Sequence, residues 1–158
     1  MIDRRTLRRM FLSSFRSIDL AYVGDGCQVA HPTLTWSISL VVDGSGASAP
    51  YRLVLGASLL QLGVLAPRNA EDCYMFLPLG YERSQVNPDL PYMPDPAFPE
   101  WPGTDEERAG AIARCVAGTV RYAREVDSVD ALRTRYSGGD YDSAFIMAPM
   151  RELLADHS

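Results

Sequence analysis

Residues 33–43 read TLTWSISLVVD. Leu34, Trp36, Ile38, Leu40 and Val42 alternate with Thr33, Thr35, Ser37 and Ser39. A helix scatters such a pattern around its axis, whereas a strand gathers it into one apolar and one hydroxyl face. One apolar face and one polar face describe a half-buried strand in an antiparallel sheet. The flanks extend the sheet. AYVGDGCQVAH holds Gly24-Asp25-Gly26 between two short apolar stretches and reads as a hairpin. GSGASAP at 44–50 is a loop, and YRLVLGA beyond it begins the returning strand. SLLQLGVLAPRNAED either continues that strand or forms a short helix ending at Gly63. CYMFLPLGY at 73–81 is strand-like, with Pro78 confining it to an edge or placing the proline at its end.

Helical spacing governs both ends of the chain. Leu7, Met10, Phe11, Phe15 and Ile18 follow the candidate cap Asp3, with the arginines largely on other faces. Thr104-Asp105-Glu106-Glu107 is a capping box, and the helix behind it is predicted to bury Ala109, Ile112, Ala113, Val116, Ala117 and Val120. A shorter helix from Asp127 runs through Val129, Leu132 and Tyr136 to Ser137-Gly138-Gly139. Residues 141–155 look helical again, with Pro149 as a kink or as the first residue of a final helix. Strands and helices are segregated along the chain, so the predicted class is α+β. The reading is one domain, 1–158: helix 3–18, strand region 19–81, proline-rich arm 85–103 and helical region 104–156. Its antiparallel sheet carries helices on one face.

The arm contains NPDLPYMPDPAFPEWPG, with six of the chain's eleven prolines. Prolines fix φ and lower the entropy of the free chain. Tyr92, Phe98 and Trp101 accompany them, with Asp89, Asp95 and Glu100 interspersed. Aromatics on a preorganised backbone are what interface cores favour. These six residues are therefore the candidate protein-binding set, against the alternative that the arm is an intramolecular clamp.

The net charge of −5 disfavours nucleic acid and anionic membranes as partners. The distribution is uneven: residues 1–16 carry Arg4, Arg5, Arg8, Arg9 and Arg16 against Asp3, whereas 71–107 carry nine carboxylates against Arg83. All fifteen cations are arginine, which suggests a GC-rich genome, such as that of an actinobacterium or its phage. Three unpaired cysteines suit a reducing cytoplasm. There is no uninterrupted apolar stretch of a secretory signal or of the ~20 residues that span a bilayer, so a cytoplasmic protein without a membrane partner is expected.

Catalytic signatures are sparse. His31 and His157 are the two histidines, and no nucleophile elbow, C-x-x-C or H-E-x-x-H occurs. Asp25, Cys27 and His31 lie close together and make a thiol–imidazole site conceivable, against a buried cysteine and a strand-end histidine. Asp140 and Asp142 read as a turn and a helix cap rather than a calcium loop. No cofactor or metal is expected, and the balance leans away from an enzyme.

Several of these features together resemble small bacterial α+β immunity-type domains of unknown function found beside polymorphic toxins. The shared features are the N-terminal helix, TLTWSISLVVD, YRLVLGAS, the Asp72-Cys73 step into CYMFLPL, Trp101 before a capped helix, and the helix pair up to Tyr136. The proline arm is longer than the corresponding region of that family. The resemblance implies a non-enzymatic protein-binding module that neutralises a cognate toxin, and a basic toxin would complement the acidic chain. The alternatives are a small enzyme using Asp25, Cys27 and His31, or a phage or host accessory protein that self-associates.

Overall fold

The computed structural model describes residues 2–18, 20–23 (backbone alone for 21–23), 26–42, 44, 46, 49, 51–63, 67, 69–79 and 101–155. Of the arm, only Trp101, Pro102 and Gly103 fall within these limits. Tyr92, Phe98, Asp89, Asp95 and Glu100 lie outside the described residues, as does Asp25.

Among the described residues six strands form one antiparallel sheet in chain order. They are β1 (Ala21–Val23), β2 (Gly26–Ala30), β3 (Leu34–Val42), β4 (Tyr51–Leu59), β5 (Met75–Pro78) and β6 (Phe145–Ile146). The helices are α1 (Arg4–Arg16), α2 (Asp105–Glu125), α3 (Val129–Ser137) and α4 (Ala148–Ala155). This is the α+β architecture that the segregated patterns predict. The central pair, β3 and β4, is in register from Leu34↔Leu59 to Val42↔Tyr51.

The alternation in β3 sorts as expected on its apolar side from Leu34 to Leu40, but Val42, at the strand's last position beside the β3–β4 connection, is exposed rather than buried. Leu34, Trp36, Ile38 and Leu40 are buried in the core that the sheet shares with α1 and α2, with α2 packed on β3, and Trp36 has no solvent exposure. Its indole Nε1–H donates to the Val126 carbonyl at 2.8 Å, so the one polar atom of the ring is satisfied inside the core. The hydroxyl side departs from expectation: Ser37 and Ser39 are buried as well. A 3-10 turn, Ala70–Asp72, lies across that outer face. The Ala70 amide donates to Ser39 Oγ at 2.8 Å, giving a buried backbone donor the acceptor it needs. Gly56 makes the approach possible, because a Cβ there would stand 2.4 Å from the Ala70 carbonyl oxygen.

The ambiguous stretch after residue 57 resolves into both alternatives. The strand continues to Leu59, and a 3-10 turn over Leu60–Leu62 ends at Gly63. Pro78 is the last residue of β5, where a missing amide is tolerated.

Both long helices are capped as their sequences predict. The Asp3 carboxylate accepts from the Thr6 amide and hydroxyl, and these bonds hold its pKa below the usual value. In α2, Thr104 Oγ1 accepts from the Glu107 amide while Glu107 accepts from the Thr104 amide. The buried face of α2 needs correction. Ala109, Ala113 and Ala117 are exposed, and the inward residues include Ala111, Ile112, Cys115, Val116, Thr119, Val120 and Ala123. Alanine suits either face, so helical spacing alone leaves the stripe's edge undefined. The α3 cap is Ser128 rather than Asp127, its hydroxyl accepting from the Ala131 amide. The last expected helix is split. Phe145–Ile146 form β6 beside β5, and α4 begins at Ala148 with Pro149 in its first turn, where a missing amide costs no helix bond.

Candidate functional site

Cys27 and His31 belong to the β2 segment and its end, four positions apart. That spacing separates their backbones by roughly 13 Å in an extended strand, far beyond hydrogen-bond reach. The Cys27 side chain enters the core, where burial pushes its thiol up to about 12. A thiol held that high is protonated at neutral pH and is a poor nucleophile. The His31 ring turns to α2 instead, with Nε2 2.7 Å from the Ala123 carbonyl. A carbonyl only accepts, so Nε2 carries the proton and the imidazole ties the strand end to the helix. The two residues share a face, but they are not brought together.

Trp101 is placed by the start of α2. Arg108 is buried one turn into the helix, its Nη2 donating to the Trp101 carbonyl at 3.0 Å. Its guanidinium lies 5.4 Å from the Trp101 ring centre, a cation–π arrangement. Burial lowers the Arg108 pKa, and Asp105 partly restores it. Gly103 lets the indole fold back: a Cβ there would sit 1.8 Å from Trp101 Cζ3. The indole stays half-buried and borders a cavity of about 330 Å³ shared with Ile2, Asp3 and Thr6 of the α1 start. Trp101 therefore fastens the end of the proline-rich segment to the beginning of α2, across a cavity from the start of α1.

A third constellation has no warning in the sequence. The Tyr122 hydroxyl donates to Asp140 Oδ2 at 3.0 Å and lies 2.7 Å from the Tyr141 hydroxyl. With its own proton given to the carboxylate, Tyr122 accepts from Tyr141. Arg135 Nη1 stands 3.6 Å from the same carboxylate, and its guanidinium lies 5.2 Å from the Tyr122 ring centre. Both phenols are pushed above their ordinary range. Burial is the main cause for each, and at Tyr122 the neighbouring Tyr141 and Asp140 add to it. Tyr122 also meets Trp36 edge-on, with ring centres 5.9 Å apart. Asp140 thus gathers the end of α3 and the loop before β6 onto α2, instead of serving only a turn. The partners lie 18 or more positions apart on unrelated elements, or across a loop, so no local spacing marks them.

The outer face of the sheet ends in an apolar strip. Phe76 and Phe145 pair across β5 and β6 with rings stacked 5.0 Å apart, and Phe145 is 63% exposed. Met147, directly after β6, is 55% exposed. Among the described residues no helix is long and apolar enough to cross a membrane. No family model matches the chain, and no curated protein or solved structure shows significant similarity to it.

Proposed function

We propose that this chain is a protein-binding module of the immunity type, which neutralises a cognate, basic protein toxin through the arm that Trp101 anchors. The observation that supports this reading best is the fate of Cys27 and His31. The thiol and imidazole that offered a nucleophilic site are committed to the core and to a helix carbonyl. What remains for recognition is shape, apolar side chains and charge. Tyr92 and Phe98 supply aromatic anchors in this reading, and Asp89, Asp95 and Glu100 a charged rim. Trp101 is given the fold-facing role, since Arg108 and Gly103 already engage it. An excess of acid over base favours a cationic partner and speeds its docking.

The test is co-expression with the product of the neighbouring gene, followed by sizing of the purified mixture and a growth assay. A stable complex and relief of toxicity are expected. A variant with residues 88–100 replaced by a Gly/Ser linker is expected to fold, because Trp101 and its contacts remain, yet to bind about tenfold more weakly or worse. The reading fails if the wild-type chain forms no complex. It also fails if Cys27 in the folded protein alkylates much faster than Cys73 and Cys115 and His31→Ala abolishes the difference.

A further inference from the structure

We infer that the strip formed by Phe76, Phe145 and Met147 is a second docking surface, independent of the arm, for a protein segment that is apolar at its centre and cationic at its margin. The inference rests on the protein-binding reading and adds to it a place and a partner chemistry.

The exposure is built into the fold. In β5, Met75 and Leu77 point into the core, so Phe76 points to the outer face beside Gly56. Phe145 pairs with Phe76 and is carried to the same face. A single exposed apolar side chain is ordinary, but a stacked aromatic pair followed by an exposed methionine is a contiguous patch. Methionine and phenylalanine are also residue types enriched at interface centres.

Contact is made by side chains and not by adding a strand. Met147 N donates to the Tyr74 carbonyl at 2.9 Å, which sets Met147 opposite Tyr74 at a hydrogen-bonded position of the ladder. Antiparallel ladders alternate, which turns the Ile146 amide and carbonyl away from β5 towards the free edge. That carbonyl accepts from Arg151 Nη2 of α4 at 3.0 Å. An incoming strand would meet an occupied acceptor on an edge only two residues long.

Charge selects the partner. The 3-10 turn that covers Gly56 stands directly beside Phe76, and it presents Glu71 and Asp72 to solvent. Asp142 is exposed three residues before Phe145, and the cation beside the strip, Arg151, is held at the Ile146 carbonyl on the free edge, away from the Glu71–Asp72 side. An acidic margin on a chain of net charge −5 repels both a second copy and an anionic lipid surface. Size points the same way. The exposed parts of Phe145 and Met147 amount to on the order of 200 Å², against about 800 Å² per partner in a standard stable interface. The strip is the centre of a small heterologous contact.

The probe is a synthetic peptide of alternating arginine and leucine, titrated into the isotopically labelled chain and followed by amide chemical shifts. Saturable shifts confined to residues 71–77 and 142–147 are expected, weakening as ionic strength rises. Phe145→Ser with Met147→Ser is expected to bind about tenfold more weakly, and Glu71→Arg to bind more weakly too, while a glutamate–leucine peptide gives no shifts. The variant carrying the 88–100 linker is expected to bind the peptide as the wild type does. Shifts elsewhere, no saturable binding, or equal affinity for the serine variant would overturn the assignment and leave the arm's role standing. Concentration-dependent self-association abolished by Phe145→Ser would overturn it in favour of a second copy. Loss of toxin binding in the co-expression assay, with the peptide still docking here, would instead remove the toxin partner and keep this surface.

Discussion

At the scale of single residues, Trp36 joins the sheet to both halves of the helical layer. It packs against Tyr122 and Tyr141 and donates to a carbonyl just past α2. Trp36→Ala is expected to cost ~3–5 kcal/mol in a denaturant titration. Trp36→Phe keeps most of the apolar contact but leaves the Val126 carbonyl without its donor, an added cost of ~1–3 kcal/mol. Its burial was legible because it sits in the middle of a strict alternation. The Tyr122–Tyr141–Asp140 knot was not, because hydrogen bonds between distant elements leave no periodic trace. Titration gives a second check at this scale. Burial raises the Cys27 thiol from 9.0 to about 12, so the folded state keeps a proton that the unfolded chain releases. Its contribution is full below pH 9 and is lost as pH climbs through that window. The raised phenols of Tyr122 and Tyr141 act in the same direction above pH 10. Stability should therefore fall in alkali, by ~1.4 kcal/mol per pH unit for each such group. Cys27→Val should reduce the slope between pH 9 and 10, and an unchanged slope would show that the thiol is not the group titrating.

At the scale of elements, the outer face of the sheet depends on one missing side chain. Gly56→Ala places a methyl group 2.4 Å from the Ala70 carbonyl oxygen and 2.8 Å from Cys73 Sγ. The 3-10 turn must lift, at an overpacking cost of ~1–3 kcal/mol. Cys73 should then alkylate faster while Cys27, on the other face, does not change. Thr104→Ala removes half of the capping box and should cost ~1 kcal/mol, read from the thermal midpoint. The elements with strong local signals, β3 by alternation and α2 by its cap, were readable in advance. β6 was not: two residues carry no period, and Phe145 and Ile146 become a strand only because Tyr74 to Phe76 offer them a ladder. The buried stripe of α2 was misplaced for a related reason, since alanines at 109, 111, 113 and 117 fit either side of it.

At the scale of the whole molecule, the strands of the sheet lie in chain order: β1 to β5 each meet a neighbour close in sequence, whereas β6 returns to β5 only after α2 and α3. The helices are joined differently. α1 packs on α2, roughly a hundred residues later, and Arg4 reaches the Gly46 carbonyl in the β3–β4 connection at 3.0 Å. The basic helix closes the fold as well as adding charge to its surface. Leu7, Phe11 and Phe15 are buried and hold α1 to the core it shares with β2 and α2. Phe11→Ala is expected to cost ~3–5 kcal/mol and to unfold sheet and helices in one transition, seen as coincident far-UV and tryptophan signals.

The pairing of α1 with α2 also has a consequence for biosynthesis. The apolar face of α1 leaves the ribosome about ninety to a hundred residues ahead of the helix it packs on, α2. At about 5–20 residues per second, the interval is several seconds. During that time Leu7, Phe11 and Phe15 have only the growing strands to shelter them, and five arginines in the first sixteen residues keep the waiting helix soluble.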